Sequence, residues 1–315
     1  MNLVTIVIPM YNEQKNIEIC VNVLKSQINQ NFDVLFIDDG SSDNTLGKLK
    51  ESLISDVEFN YKIIQQQNQG AAAARKKGID YALTEFIMVF DCDDKLSNNL
   101  TEEIYTIHSM NNDVDIIIPE MQIQNKKNNW DKLCFYTQDS ILKPLDCVRN
   151  SLNGWNIHGC FAIKKIIFDK SYKDYESYNV NYTNYINNDE IITRLNFLNS
   201  KIIIKSKATY YYCYNIFSTT KKINEKKYLM IKNALILNSI FLNNEIELSV
   251  KAELIAVSWD SFIYMKKHKL ELKNILHWRQ AINEGVNQLN YFKIIKRLSL
   301  KNKIQLTILK LVYLF

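Results

Sequence analysis

Five short apolar runs punctuate the first 120 residues: "LVTIVIP" (3–9), "DVLFID" (33–38), "YKIIQQ" (61–66), "EFIMVFD" (85–91) and "VDIIIP" (114–119). Each is rich in β-branched residues and apolar on both parities, the pattern of strands covered on both faces. Helix-like segments fill the gaps, at about 13–28, 42–55, 70–83 and 98–110. Ser42 and Thr45 after "DDG", and "LSNNLTEEI" near Asn98, supply two of the helix entries. Alternation of this kind predicts a mainly parallel sheet with helices on both faces. Ligands of such sheets bind beyond the carboxyl ends of the strands. Here those ends read "PMYNE", "DDGSSD" and "DCDD". Three turns on one edge would carry Glu13, Asp38, Asp39, Asp43, Asp91, Asp93 and Asp94.

So many like charges on neighbouring turns raise one another's pKa and call for a partner. A hard divalent cation with oxygen ligands is the natural one, since Mg²⁺ is held by one or two carboxylates with phosphate and water completing the shell. On an extended segment, residues two apart point the same way. Asp91 and Asp93 can therefore share a site while Cys92 turns into the protein. Alone, "DCDD" is a weak signal, and Asp38 or Asp39 taken alone could merely cap the following helix.

Four motifs in order sharpen it: "VTIVIPMYNEQKNI", "VLFIDDGSSDNT", "NQGAAAARKKGIDYA" and "FIMVFDCDD". Together they resemble the family 2 glycosyltransferases, closely over residues 3–100 and weakly to about 215. Lys77 stands where that family more usually has Asn. The resemblance implies a GT-A (Rossmann-like) nucleotide-sugar-binding α/β fold, a mixed sheet flanked by helices with a C-terminal helical extension. It implies a nucleotide-sugar donor, a UDP-sugar foremost, and Mn²⁺ or Mg²⁺ as cofactor. By motif position Pro9, Tyr11 and Glu13 line the base and ribose pocket, with Asn68 and Gly70 at the nucleotide. Asp39 contacts uracil or ribose, and Arg75 lies near the diphosphate. Asp91 contacts ribose and metal, and Asp93 is the principal metal ligand.

Inverting glycosyl transfer needs a carboxylate to deprotonate the acceptor hydroxyl. The resemblance places it in an acidic pair at a helix start, with an Arg about six residues on. "NNDEIITR" departs from that spacing, because Arg194 follows Asp189 by five. Asp189 is the favoured base, Glu190 the alternate, and simple helix N-terminal acids remain the structural reading. In "NGWNIHG" (153–159), Trp155 and His158 are candidates for an acceptor-sugar platform, with a structural histidine equally open. "GCFAIKK" reads as a strand entering a helix, "NNDEIITRLNFLNS" as an amphipathic helix, and "KIIIKS" and "ATYYYCY" as strands. The tyrosines of the last read first as strand packing.

The expected division is a glycosyltransferase domain over 1–215, with a nucleotide half (1–120) and an acceptor half (121–215), then a helical extension over 216–315. Hydrophobic content of 47% and charged content of 23% exclude a disordered chain. Six scattered cysteines without C-x-x-C spacing predict reduced thiols rather than a disulfide framework. The start "MNLVTIVIPMYNE" reads as a strand, not a signal peptide. No apolar run is long enough to span a bilayer. The net charge of +5 is uneven: residues 261–315 hold eleven Lys/Arg against two acids. In the last segment Leu300, Ile304, Ile308, Leu311 and Phe315 fall at helical spacing among Lys301, Lys303 and Lys310. Two readings stay open for it, a helix lying on an anionic bilayer and a helix docked on its own domain.

The expectation is a cytoplasmic, metal-dependent transferase, peripheral on the inner face of the membrane, extending a lipid-linked O-antigen, capsule or other surface-polysaccharide acceptor. Nucleic acid is not expected as a partner, for no motif accompanies the charge. A non-catalytic nucleotide-sugar-binding scaffold or sensor is the alternative. A sugar nucleotidyltransferase is disfavoured, since "IPMYNEQKN" lacks a glycine-rich loop.

Overall fold

The computed structural model describes residues 2–54, 57–152, 154–179, 188–215 and 223–313. In chain order the first elements are β1 (Val4–Met10), α1 (Ile17–Lys25), β2 (Asp33–Asp38), α2 (Thr45–Ile54), β3 (Asn60–Gln65), α3 (Ala71–Tyr81) and β4 (Phe86–Val89). There follow β5 (Lys95–Leu96), α4 (Leu100–Met110), β6 (Ile116–Gln124), β7 (Trp130–Lys132), β8 (Ile141–Leu142), α5 (Pro144–Asn150), β9 (Ala162–Lys164), α6 (Lys165–Tyr178), α7 (Asn188–Asn199) and β10 (Ile203–Tyr212). The remainder is helical: α8 (Met230–Ile240), α9 (Glu247–Lys267), α10 (Ile275–Asn287), α11 (Tyr291–Ile294) and α12 (Leu300–Tyr313).

The sheet runs β3-β2-β1-β4-β9-β6-β10-β5. The first four strands are parallel neighbours, with Met10 opposite Asp38 and Val7 opposite Val89. β9 is antiparallel to both β4 and β6, so the sheet is mixed rather than mainly parallel. Two reversals restore direction, and β6 and β10, parallel to each other, run the same way as β4. "KIIIKS" and "ATYYYCY" join as the single strand β10, whose register shifts between Lys205 and Thr209.

Side-chain alternation explains both layers. Val4, Ile6, Ile8 and Met10 pack with Ile17, Val21 and Leu24 of α1, Leu49 of α2 and Leu100 and Ile104 of α4 in one core. The opposite parity faces α3. There Gly78 sits so close that a Cβ would lie 2.3 Å from Val7 Cγ1 and 3.0 Å from Ile37 Cγ1. The alanine run of α3 serves that close packing, with Ala74 fully buried.

The chain forms two compact units: the last division falls between 216 and 217, beside the expected break after 215, and two earlier segments also join the second unit. The first holds residues 1–147, 156–172 and 195–216, the second residues 148–155, 173–194 and 217–315, as far as these are described. The second has its own core around Trp278, stacked on Tyr264 with ring centroids 5.4 Å apart, with Leu254, Ile282, Leu306 and Leu309. It also takes in the start of α7, because Arg194 is buried and pairs with Glu253 of α9 at 3.2 Å. A buried guanidinium without that carboxylate would be costly. Within the same unit α12 docks through Asn302, Gln305, Leu306 and Leu309 and leaves Leu300, Ile304, Ile308 and Leu311 exposed. Phe315 lies outside the described residues.

Candidate active site

Parallel register puts the ends of β1, β2 and β4 on one edge of the first unit. The turns after β1 and β2 are knitted together. Asn12, at φ 59°, accepts from Ser42 N at 2.8 Å, and its own N–H donates to Ser41 Oγ at 3.0 Å. Glu13 N–H donates to Thr45 Oγ1 at 2.7 Å. Pro9 and Glu13 are half-buried and Tyr11 is exposed. The Glu13 carboxyl is pushed up by burial, against the lowering hydrogen bond from Asn16, and further by the charges of Asp93, Asp91 and Asp43. That field means the acids of all three turns share one electrostatic neighbourhood.

Asp39 is buried, and its carboxylate is already engaged. It accepts from Gln69 N and Gly70 N, both at 2.8 Å, and from Gln66 Nε2 at 2.8 Å. It thereby fixes the loop that starts α3 and carries Asn68. Gly70 takes φ 89°, a region L-residues avoid. One turn of α3 later, Arg75 reaches the acidic turn and donates from Nη2 to both oxygens of Asp91 at 3.1 Å. Lys77, where Asn is more usual, donates to Gln65 O at 3.3 Å.

The three aspartates after β4 play different parts. Asp91 and Asp93 are half-buried, while Cys92 between them enters the core. Asp94 turns inward, accepting from Tyr210 Oη at 2.7 Å and Cys213 N at 2.8 Å. Burial pushes it up to about 8, against those two hydrogen bonds. It is therefore the member of the trio least suited to a cation. Asn215 Nδ2 donates to Asp93 Oδ2 at 2.7 Å. β10 thus delivers Tyr210, Cys213 and Asn215 to the acidic turn, a contribution that sequence reasoning missed. The tyrosine run carried no sign of it, because the partner lies more than a hundred residues away. Among the described residues, no group of three or more His, Cys, Asp or Glu side chains forms a complete metal cage. Asp91 and Asp93 are the two carboxylates of this turn that could contribute hard oxygen ligands to Mg²⁺ or Mn²⁺, an ion that takes most of its shell from phosphate and water.

Asp189 and Glu190 belong to the second unit, on the first turn of α7. Asp189 is exposed. Glu190 lies 3.7 Å from Arg194, one helical turn on. Arg194 also donates to Ser151 O at 2.9 Å and sits 4.8 Å from the centre of the Trp155 ring. The guanidinium occupies one face of that indole.

Trp155 is counted with the second unit. His158 belongs to the first unit and is buried. Its Nε2 pairs with Pro119 O at 2.7 Å, and its Nδ1 accepts from Cys160 N at 3.2 Å. Both nitrogens are in use, so the ring has no hydrogen bond left for a sugar hydroxyl. This is the neutral Nε2–H tautomer, and burial lowers its pKa to about 4.

Comparison with known proteins is consistent with this geometry. The profile described as glycosyl transferase family 2 matches residues 5–175, more than half of the chain. The chain belongs to that family. Glycosyltransferase GlyG of Streptococcus pneumoniae is 32% identical over 117 residues, 37% of this chain and 38% of GlyG. The teichoic acid poly(glycerol phosphate) polymerase of Staphylococcus epidermidis is 31% identical over 120 residues, 38% of this chain and 16% of the polymerase. The chain therefore spans well under half the length of the curated relatives it matches. Among solved structures, S. aureus TarS 1–349 in complex with UDP-GlcNAc superposes with TM-score 0.72 at 16% identity, over 99% of this chain and 88% of that one. That likeness bears on the fold: this family 2 chain has the sheet and helices of a GT-A-type glycosyltransferase.

Proposed function

We propose that this chain is an inverting glycosyltransferase that moves a sugar from a UDP-sugar to a hydroxyl of a saccharide acceptor in surface-polysaccharide assembly. One observation carries the reading. The ends of β1, β2, β4 and β10 converge on a single edge, where the guanidinium of Arg75 pairs with Asp91 and Asn215 donates to Asp93 on the same acidic turn. Family membership and the UDP-GlcNAc complex of a structural neighbour support a nucleotide-sugar donor. The teichoic acid relative supports a product among the surface polymers, and a lipid-linked acceptor is part of the proposal.

In this reading Tyr11 and the Asp39-anchored loop border the nucleoside, and Arg75 pairs with a diphosphate oxygen once Asp91 is engaged elsewhere. Asp93 and Asp91 would hold a divalent ion, and such an ion would offset the charge on the departing diphosphate. Asp189 takes the proton of the acceptor hydroxyl as that oxygen bonds to the anomeric carbon and the bond to the diphosphate oxygen breaks. Glu190, held against Arg194, shapes the helix turn. A scaffold lacking turnover is the competing reading.

The test is UDP release and product formation with purified chain, donor and Mn²⁺ or Mg²⁺. Asp93→Ala is expected to abolish both while circular dichroism stays unchanged. Asp189→Asn should lower transfer by about 10²–10⁴-fold and leave donor binding intact, whereas Glu190→Gln should lose less. Full turnover by Asp93→Ala in the presence of chelator would refute the metal role. Donor binding without UDP release under any condition would favour the scaffold.

A further inference from the structure

α12 is anchored to the helical unit by one face and bare on the other. Leu300, Ile304 and Leu311 are 73%, 52% and 59% exposed, and Ile308 completes the row on the same side of the helix. At about 1.5 Å per residue the row is roughly 16 Å long. Phe292 of α11 is also 88% exposed, and Tyr291 beside it bonds Thr307 of α12 at 3.0 Å. Single exposed apolar side chains are ordinary, but a contiguous row is not. Lysines border the row, Lys303 and Lys310 along one flank and Lys301 along the other.

Charge identifies the occupant. From residue 285 to 315 the chain has six cations (Lys293, Lys296, Arg297, Lys301, Lys303, Lys310) and no acid. Lys293 lies near enough to Glu247 to help lower that acid's pKa and is the weakest contributor. A second copy of this face would set lysine against lysine. A nucleic acid would meet leucine and isoleucine where it needs cations. An anionic bilayer offers what both lack, phosphates for the flanking lysines and hydrocarbon for the row between them. Among the described residues no helix is long and apolar enough to cross a membrane.

We propose that the exposed face of α12 docks this protein on an anionic lipid surface, lying in the interface plane with its opposite face still packed on α9 and α10. The inference does not depend on the donor chemistry. Its test is sedimentation of the full chain with vesicles of phosphatidylcholine alone or with about one third phosphatidylglycerol, at low and high salt. Binding is expected only to the anionic vesicles and should fall with salt. Lys301→Gln and Lys303→Gln should each weaken it by about fivefold. Ile304→Ser with Leu311→Ser should weaken it by on the order of tenfold. These side chains are exposed or half-exposed, so near-UV circular dichroism and melting should not change. Absence of binding, equal binding to neutral vesicles, or binding untouched by both pairs of substitutions would overturn the proposal. A lipid-free dimer abolished by the serine pair would overturn it too, and would make the face a self-interface.

Discussion

A buried imidazole and a buried carboxyl show how burial alone reassigns a residue. His158 has its pKa lowered from 6.5 to about 4, so between those values the folded chain binds fewer protons than the unfolded one. Stability must then fall as pH is lowered through about 6.5 toward 4, by up to about 3 kcal/mol. His158→Gln is expected to be less stable at pH 7 yet to lose that acid dependence, as read from urea midpoints at pH 7 and pH 5. An unchanged slope would mean that other groups dominate. Asp94 makes the complementary case. Adjacent in sequence to the half-buried Asp93, it points inward to Tyr210 and Cys213 N. Period-two reasoning paired Asp91 with Asp93 and placed Cys92 inside, but it was silent on Asp94, whose partners arrive from β10.

Elements carry the clearest sequence signals and the clearest local costs. β2 occupies residues 33–38 as expected, and β1, β3 and β4 fall within about two residues of their apolar runs. β9 was harder to place: three residues, with nothing in "FAIKK" to say that it runs against both neighbours. Strand direction is decided by where a chain re-enters the sheet, not by the strand's own composition. α3 shows the opposite, an element whose sequence states its packing. Its alanines and Gly78 allow the helix to lie against Val7 and Ile37. Gly78→Ala should cost about 1–3 kcal/mol through overpacking, measured by urea denaturation. Because α3 also carries Arg75 to Asp91, donor affinity should drop with it.

At the scale of the molecule, the two units interleave along the chain. The second unit collects residues around 148–155 and 173–194 as well as the C-terminal helices, so a cut after residue 215 would strip Arg194 of Glu253. Removing one partner of a buried ion pair costs about 3–5 kcal/mol. A 1–215 fragment is therefore expected to be poorly soluble, without a cooperative near-UV melt, whereas the full chain melts sharply. A well-folded fragment would show that residues 148–155 and 173–194 do not need the C-terminal helices to fold. Glu253→Ala in the full chain should reproduce part of the loss.

What the sequence determined by itself was local and periodic: apolar runs that must become covered strands, turns that gather carboxylates at the strand ends, and four motifs whose order and spacing marked the family. These are legible because each depends on residues within a few positions of one another. Tertiary structure alone decided that Asp39 ties down a neighbouring loop, that Asn215 reaches Asp93, that His158 is structural and that Arg194 belongs with Glu253. Those pairs are separated by some thirty to more than a hundred residues. No local pattern specifies which distant donor meets which acceptor; only the assembled sheet and helix core bring them within hydrogen-bonding reach.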